Sequence, residues 1–530
     1  MMGTRLVITG GKVIDGTGAP VRVADVVIDG AKIEAIVDRW DGDGEIIDAS
    51  GLTVAPGFID IHSHSDYTLL VDPRARSSIH QGVTTEVVGN CGFGCFPLRD
   101  PNLARTAIYG ISDAVPLDWS SPGEYLDRLS AAGPAVNVMS LVPNGQLRLS
   151  TMGLADRPAR DDELAAMSRL LEEGLEAGAW GYSTGLEYGA EIGAPEEEIT
   201  ALARITAQAG ALYATHTRRR DDGAVEAVDE ALRTARAANV RLQISHLLPR
   251  GGREDGERCL ERVDAARAAD LDVAFDMHTR RFGLTYLYTM IPPDILARGS
   301  AGIEAALKND NERRRMKRHR SIFSAGGDWE RVILLDNEVC PELARLSLAE
   351  IGRRQNQDPF DAAYDILGRT IDDPTRVMAI IDCYAEDEQE QVFAHPLSMP
   401  GSDATALASD GPLSSASFHG AYSWAAWFYR FMVKERTALT PEEAIQRLTS
   451  APAARLGLAD RGLLRAGLCA DIAVFDAESF SETATTFAPN QLATGMVHVL
   501  VNGVPTLRDG KPTGQHGGAV LRRNATGIRL

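Results

Sequence analysis

No stretch of this 530-residue chain reaches the roughly 18 consecutive apolar residues that a membrane-spanning helix needs, so a membrane protein is not expected. Positive charge is in deficit: 54 Lys and Arg face 74 Asp and Glu, a formal net charge of −20. Such a surface repels a polyanion on average, which argues against a nucleic-acid partner, although a local arginine cluster can still recognise a small anion. Cysteine is sparse. The six residues Cys91, Cys95, Cys259, Cys340, Cys383 and Cys469 are scattered, without the spacing of a disulfide framework. Met1–Val13 lacks a basic stretch followed by a long apolar run, so no signal peptide is expected. A cytoplasmic, reducing location follows as the expectation.

The composition that is present, 44% hydrophobic and 24% charged, is that of an ordinary globular protein long enough for one large domain and a smaller one. Both ends read as short β-branched strands punctuated by Gly-Gly, Asp-Gly and Asn-Gly turns: "RLVITGGKVIDG" and "ADVVIDGAKIEAIVD" first, "GLCADIAVFD" and "MVHVLVNGVPTLRDG" last. They predict a small β domain built from both termini, residues 1–52 and 458–530. Between them, eight apolar strands recur at 53–62, 84–91, 134–143, 180–188, 212–217, 242–247, 272–279 and 396–404, several separated by helical patterns such as 162–178 and 223–238. Alternation of this kind predicts an α/β fold, a (β/α)8 TIM-like barrel over 53–457, with an open doubly wound sheet as the alternative. The stretch 290–395 is too long for one crossover and is expected to be an insertion over the barrel mouth. Its basic run, "KNDNERRRMKRHR", reads as a solvated helix face.

Histidine placement carries the chemistry. His62 and His64 in "GFIDIHSHSD" are two apart, so along a strand they share one side of the pleat, and they emerge where a barrel strand ends. His216 closes "LYATH" and His246 closes "LQISH". Each of these two alone reads as a structural histidine; one metal cluster accounts for all four strand-end imidazoles together, and imidazole suits zinc and similar divalent ions. Two close cations would need an anionic bridge. A carbamylated lysine is excluded for most of the barrel, because no Lys occurs between Lys32 and Lys308. The candidates left are Cys91, at the end of "VVGNC", and Glu187 in "GLEY". For Cys91 the plain alternative is a small core residue. Asp403 in "MPGSD" is the expected carboxylate facing the metal and the expected general acid/base. Asp410 in "ASDGP" is its competitor and reads as a turn residue.

These segments, together with "ITGGKVIDGTG", "VVGNCGFG", "STGLEYGA", "TSAPAARLGLADRG" and "VNGVPTLRDGKPTG", resemble the amidohydrolase superfamily and, within it, the N-acyl-D-amino-acid deacylase (D-aminoacylase) family, nearly end to end. The resemblance implies a barrel plus a small β domain, a hydrolase of C–N amide bonds and a small-molecule amide substrate. It implies Zn2+ held tightly by Cys91, His216 and His246, with a second, weaker divalent site at His62, His64 and Asp403. Tyr188 of "GLEY" matches a residue lining the substrate pocket. Three departures concern the substrate: "SHLLPRGG" lacks the family's Lys after the sixth-strand His, "DMHTRRFG" replaces its Tyr-Pro-Tyr, and "SFHGAYSWAAWFYR" replaces its His-Pro-Arg stretch. Arg250, Arg280 and Arg281 are the candidates for a replacement anion clamp, and His278 and His419 for pocket walls. The alternative substrates are a bulkier neutral amide, a cyclic amide or imide, a carbamate or an ester.

Overall fold

A computed structural model describes residues 5–324 and 326–523. Eight strands form one parallel sheet in sequence order: β1 (Phe58–Asp60), β2 (Val83–Val88), β3 (Asn137–Pro143), β4 (Gly181–Gly185), β5 (Leu212–His216), β6 (Arg241–Ile244), β7 (Val273–His278) and β8 (Ser398–Gly401). Every position of β2, β3, β4, β5 and β7 is buried, as expected of strands covered on both faces. The sheet curls until its two edges meet. Asp403 N–H donates to His62 O at 2.8 Å and His64 N–H to Ala404 O at 2.8 Å, both just beyond the C-terminal ends of β8 and β1. The architecture is the (β/α)8 barrel expected from the alternation.

Local sequence explains the outer helices. In Ala224–Ala238, residues Val225, Val228, Leu232 and Ala235 recur at helical spacing and are buried, and the helix stops at Asn239 with φ 53°, a left-handed cap that Asn tolerates. Pro122–Ala132 opens on a reciprocal capping box between Ser121 and Glu124.

The first strand differs from the sequence expectation. The apolar run at 53–62 is two elements. Thr53–Pro56 belongs to the nine-stranded sheet of the chain termini, parallel to Lys12–Val13 and antiparallel to Ile472–Phe475. The break falls at Gly57, where a Cβ would lie 2.2 Å from Thr84 Oγ1, so the chain can cross there only as glycine. Between β7 and β8 the insertion contains a three-stranded antiparallel sheet (Phe282–Tyr286, Met378–Asp382, Val332–Leu334) and several helices. Its basic run is not simply solvated: Arg313 pairs with Asp365, Arg315 with Asp294, Lys317 with Asp361 and Arg320 with Asp221, tying the insertion together and to the loop after β5. In the aromatic stretch, Trp424–Tyr429 is a helix whose Trp424, Phe428 and Tyr429 are buried.

Candidate metal centre

The strand ends deliver the predicted residues to one place. The ligating atoms of His62, His64, Cys91 and Asp403 all lie within 4.8 Å of one another, and so do those of Cys91, His216 and His246. Cys91 is common to both groups. Its Sγ is 3.2 Å from His62 Nε2 and 3.4 Å from His246 Nε2. Asp403 Oδ1 faces His64 Nε2 at 3.1 Å and His62 Nε2 at 3.5 Å. Three of these residues leave their strands in the left-handed region, Cys91 at φ 54°, His246 at 37° and Asp403 at 44°, sharp turns that aim the side chains inward.

The donor set fits a zinc-type cation. Sulfur, imidazole and carboxylate are its usual ligands, and atoms bonded to one tetrahedral zinc at about 2.0–2.3 Å lie about 3.5 Å apart, close to the separations seen here. Burial pushes the Cys91 thiol up to about 11, against the pull of His62, so a neighbouring cation is what would favour the thiolate. Burial also lowers His64, His246 and His216, the last to about 4, keeping those rings neutral, the form that binds a cation. His62 behaves differently: burial would lower it, but Cys91 and Asp276 outweigh burial and raise it. For Asp403, burial would raise the carboxyl, yet Arg280, His64 and His62 hold it well below the usual carboxylate range.

The imidazoles are held from behind. His216 Nε2 lies 2.9 Å from Glu187 Oε2, which leaves Nδ1 without a protein partner, buried and free to ligate. Glu187 pairs in turn with Arg250. Burial alone would raise Glu187; Arg250 and His216 bring it down to about 2. Glu187 is therefore placed behind His216, and the sulfur of Cys91 stands between the two groups of donors. His62 Nδ1 is 2.9 Å from Asp276 Oδ1, which also accepts the His246 backbone N–H at 2.9 Å. Asp276 did not stand out in the sequence; the signal available was its place two residues before His278 in β7, on the same side of the pleat. Arg220, equally unnoticed, donates to His246 O at 2.5 Å and Leu248 O at 2.9 Å.

The remaining candidates are distributed around this centre. Tyr188 packs against His216 (centroids 4.8 Å apart) and Phe93 (4.7 Å), beginning an aromatic wall that continues through Tyr109 to Tyr286 and Phe418. Arg280 donates to Asp403 Oδ2 at 2.6 Å. Arg281 is more than half exposed and turned away, with Glu386 as its ion-pair partner. His278 is buried, its ring 6.3 Å from that of His246 and its Nδ1 without a partner. His419 is buried against Thr486 O, and burial lowers it to about 4. Cys95 is a buried core residue whose carbonyl accepts from Trp119 Nε1. Asp410 lies away from the cluster, half exposed and paired with Arg74 and Arg76.

A family profile described as the amidohydrolase family matches residues 45–298 and 380–507. N-acyl-D-glutamate deacylase of Alcaligenes xylosoxydans xylosoxydans is 35% identical over 525 residues, covering 98% of this chain and 97% of the relative. A D-aminoacylase structure described by the functional role of its binuclear metal centre superimposes with a TM-score of 0.82 at 29% identity, covering 98% of this chain and 99% of that one. A crystal structure of N-acyl-D-glutamate deacylase from Bordetella bronchiseptica, complexed with zinc and a phosphonate mimic of the tetrahedral intermediate, matches with a TM-score of 0.81 at 30% identity over 98% of this chain and 99% of that one.

Proposed function

This chain belongs to the amidohydrolase family, and from that premise we propose that it is a zinc-dependent deacylase that hydrolyses an N-acyl-D-amino acid to a carboxylic acid and the free amino acid. The observation that carries the reading is the pair of donor groups sharing Cys91 at the C-terminal mouth of a closed barrel, where barrel enzymes work. Cys91, His216 and His246 would form the tight site, and His62, His64 and Asp403 the weaker one. Zinc at such a site supplies Lewis acidity, making water a nucleophile near neutral pH and polarising the amide carbonyl.

The side chains do the rest. Asp403 takes a proton from the attacking water and returns it to the departing nitrogen, so the acid/base group ends the cycle as it began. Asp276 and Glu187 fix the orientation of His62 and His216. Tyr188, Phe93 and Tyr109 form an apolar wall beside the reacting centre. The expected location is a reducing one, in keeping with the six cysteines, all of them buried free thiols. No helix among the described residues is long and apolar enough to cross a membrane.

One observation favours a second reading, a bulkier or less anionic amide. Arg220, Arg250 and Arg280, three arginines with buried side chains, spend terminal nitrogens on internal carbonyls, Glu187 or Asp403, leaving Nε of Arg220 and Arg280 without a partner. The test is a panel of N-acetyl-D-amino acids, their L-enantiomers, neutral aryl amides and cyclic imides with zinc-loaded enzyme. Preference for the D-series sustains the first reading. Efficient cleavage of neutral amides, with the D-series poor, replaces it with the second.

A further inference from the structure

Arg280 follows β7 by two residues, and its side chain is only 4% exposed. Its Nε is buried without a partner, but both terminal nitrogens, which a substrate clamp would present to a ligand, are taken. Here Nη1 donates to three main-chain carbonyls, Ser402 O at 2.8 Å, Asp403 O at 2.9 Å and His419 O at 2.8 Å. Nη2 donates to Asp403 Oδ2 at 2.6 Å. The same guanidinium therefore grips both the carbonyl and the carboxylate of one residue, a residue that sits at φ 44°. Arg280 is itself anchored, since its carbonyl accepts from the buried Gln389 side chain at 2.8 Å.

The fold makes room for this grip. Gly420, at φ +94°, has no side chain where a Cβ would lie 2.7 Å from Arg280 Nη1 and 2.8 Å from Ser402 O. A residue with any side chain there would press on the guanidinium. With Oδ2 tied to Arg280, it is Oδ1 that faces His62 and His64.

We propose that Arg280 is a positioning residue for Asp403: it chelates the carbonyl and one carboxylate oxygen of that residue, so that the other oxygen is presented to the metal-binding donors. This rests on the reading of Asp403 as the proton carrier. A lysine could not substitute, because a point charge cannot make the forked set of bonds that fixes both parts of Asp403.

The experiment compares wild type, Arg280→Met, Gly420→Ala, the double variant and Asp403→Asn, all zinc-loaded. It uses the best-cleaved N-acyl-D-amino acid of the panel and its neutral decarboxylated analogue, and measures kcat, KM and zinc content. Arg280→Met should lower kcat roughly 10–100-fold, the cost typical of losing a group that orients a metal-site residue, with KM unchanged on both substrates. Zinc at the tight site should be retained. Gly420→Ala removes no charge and no hydrogen-bonding group, yet should lower kcat in the same way, and the double variant should lose less than the two single losses combined, since both disturb the same contact with Asp403. Gly420→Ala keeps the inference testable if Arg280→Met fails to fold. A KM rise confined to the anionic substrate would overturn the proposal in favour of a carboxylate clamp. So would additive losses in the double variant. Wild-type kcat in Arg280→Met, with Asp403→Asn impaired, would overturn the proposal alone; wild-type kcat in Asp403→Asn would overturn the acid/base reading and the proposal together.

Discussion

Asp276 is the clearest place to perturb the centre without touching a ligand. Its side chain is buried and receives three N–H groups: His62 Nδ1 and the His246 main chain on Oδ1, and Gln243 Nε2 on Oδ2, each at 2.9 Å. In Asp276→Asn, the amide oxygen can keep the first two bonds. The new NH2 would meet the NH2 of Gln243, but Gln243 Oε1 has no partner, so that side chain can turn over and accept. The contacts at position 276 are kept in number, and what is lost there is charge. Hydrogen bonds to a charged group are worth ~1.5–3 kcal/mol and neutral ones ~0.5–1.5, so weakening all three by roughly 1 kcal/mol each costs about 3 kcal/mol of apo-protein stability. His62 also loses the anion that makes its ring a better donor, and zinc affinity should fall roughly 10–100-fold. Asp276→Ala is a different perturbation. It strands three buried N–H groups at ~1–3 kcal/mol each, a loss comparable to the ~5–15 kcal/mol stability of a typical domain, so little folded protein is expected. The assay is zinc competition against a chromophoric chelator, alongside urea unfolding of the apo-protein. Wild-type zinc affinity in Asp276→Asn, or an Asp276→Ala as stable as Asp276→Asn, would refute the reasoning.

Other perturbations separate the roles of the remaining groups. Asp403→Asn should lower kcat about 100-fold or more while metal analysis still finds the tight zinc, whereas Asp410→Asn, at a half-exposed ion pair, should leave kcat unchanged. Cys91→Ser removes the sulfur common to both donor groups, so the zinc content after dialysis should fall at both sites. Adding zinc to apo-enzyme at 100 times its dissociation constant should stabilise the fold by about 2.7 kcal/mol, read as a rise in the thermal midpoint that a chelator reverses. Glu163 is held down to about 2, by the Arg157 side chain first and the Arg160 N–H second, against an ordinary value of 4.5. Between those values the unfolded chain binds more protons, so the stability this group adds is present at neutral pH and vanishes as pH falls toward 2. Glu163→Gln should thus have a lower urea midpoint than wild type at pH 7 and converge with it in acid.

What could be read from the sequence was whatever depends on local periodicity. The positions of His62, His64, Cys91, His216 and His246 at or just past strand ends are legible in the sequence, because a strand's end is marked by the turn that follows; β1 stops at Asp60, however, so the two histidines meet in the loop beyond it and not by the alternation of a strand. What could not be read depends on chain crossings. Nothing local joins Glu187 to Arg250, 63 residues away, or Asp276 to His62, 214 away. Arg280 looked like a free cation because its partners, Ser402, Asp403 and His419, all lie across the insertion. The split of 53–62 escaped for a related reason: both halves are apolar, and only the packing of Gly57 on Thr84 shows that they serve different sheets.

The seam where the barrel closes sets the order in which this protein can be made. His64 and Asp403 stand on opposite sides of that seam, 339 residues apart in the chain, and the bonds that join the sheet edges run through His62, His64 and Asp403 themselves. A growing chain that has emerged only as far as β7 already owns His62, His64, Cys91, His216 and His246, yet lacks Asp403 and Ala404, the partners of that seam beyond β8. Loop closure over such a distance comes late in folding, since its entropy must be met before the contacts it brings can contribute. The arrangement that puts a carboxylate opposite the imidazoles following β1 therefore arrives only with the final strand.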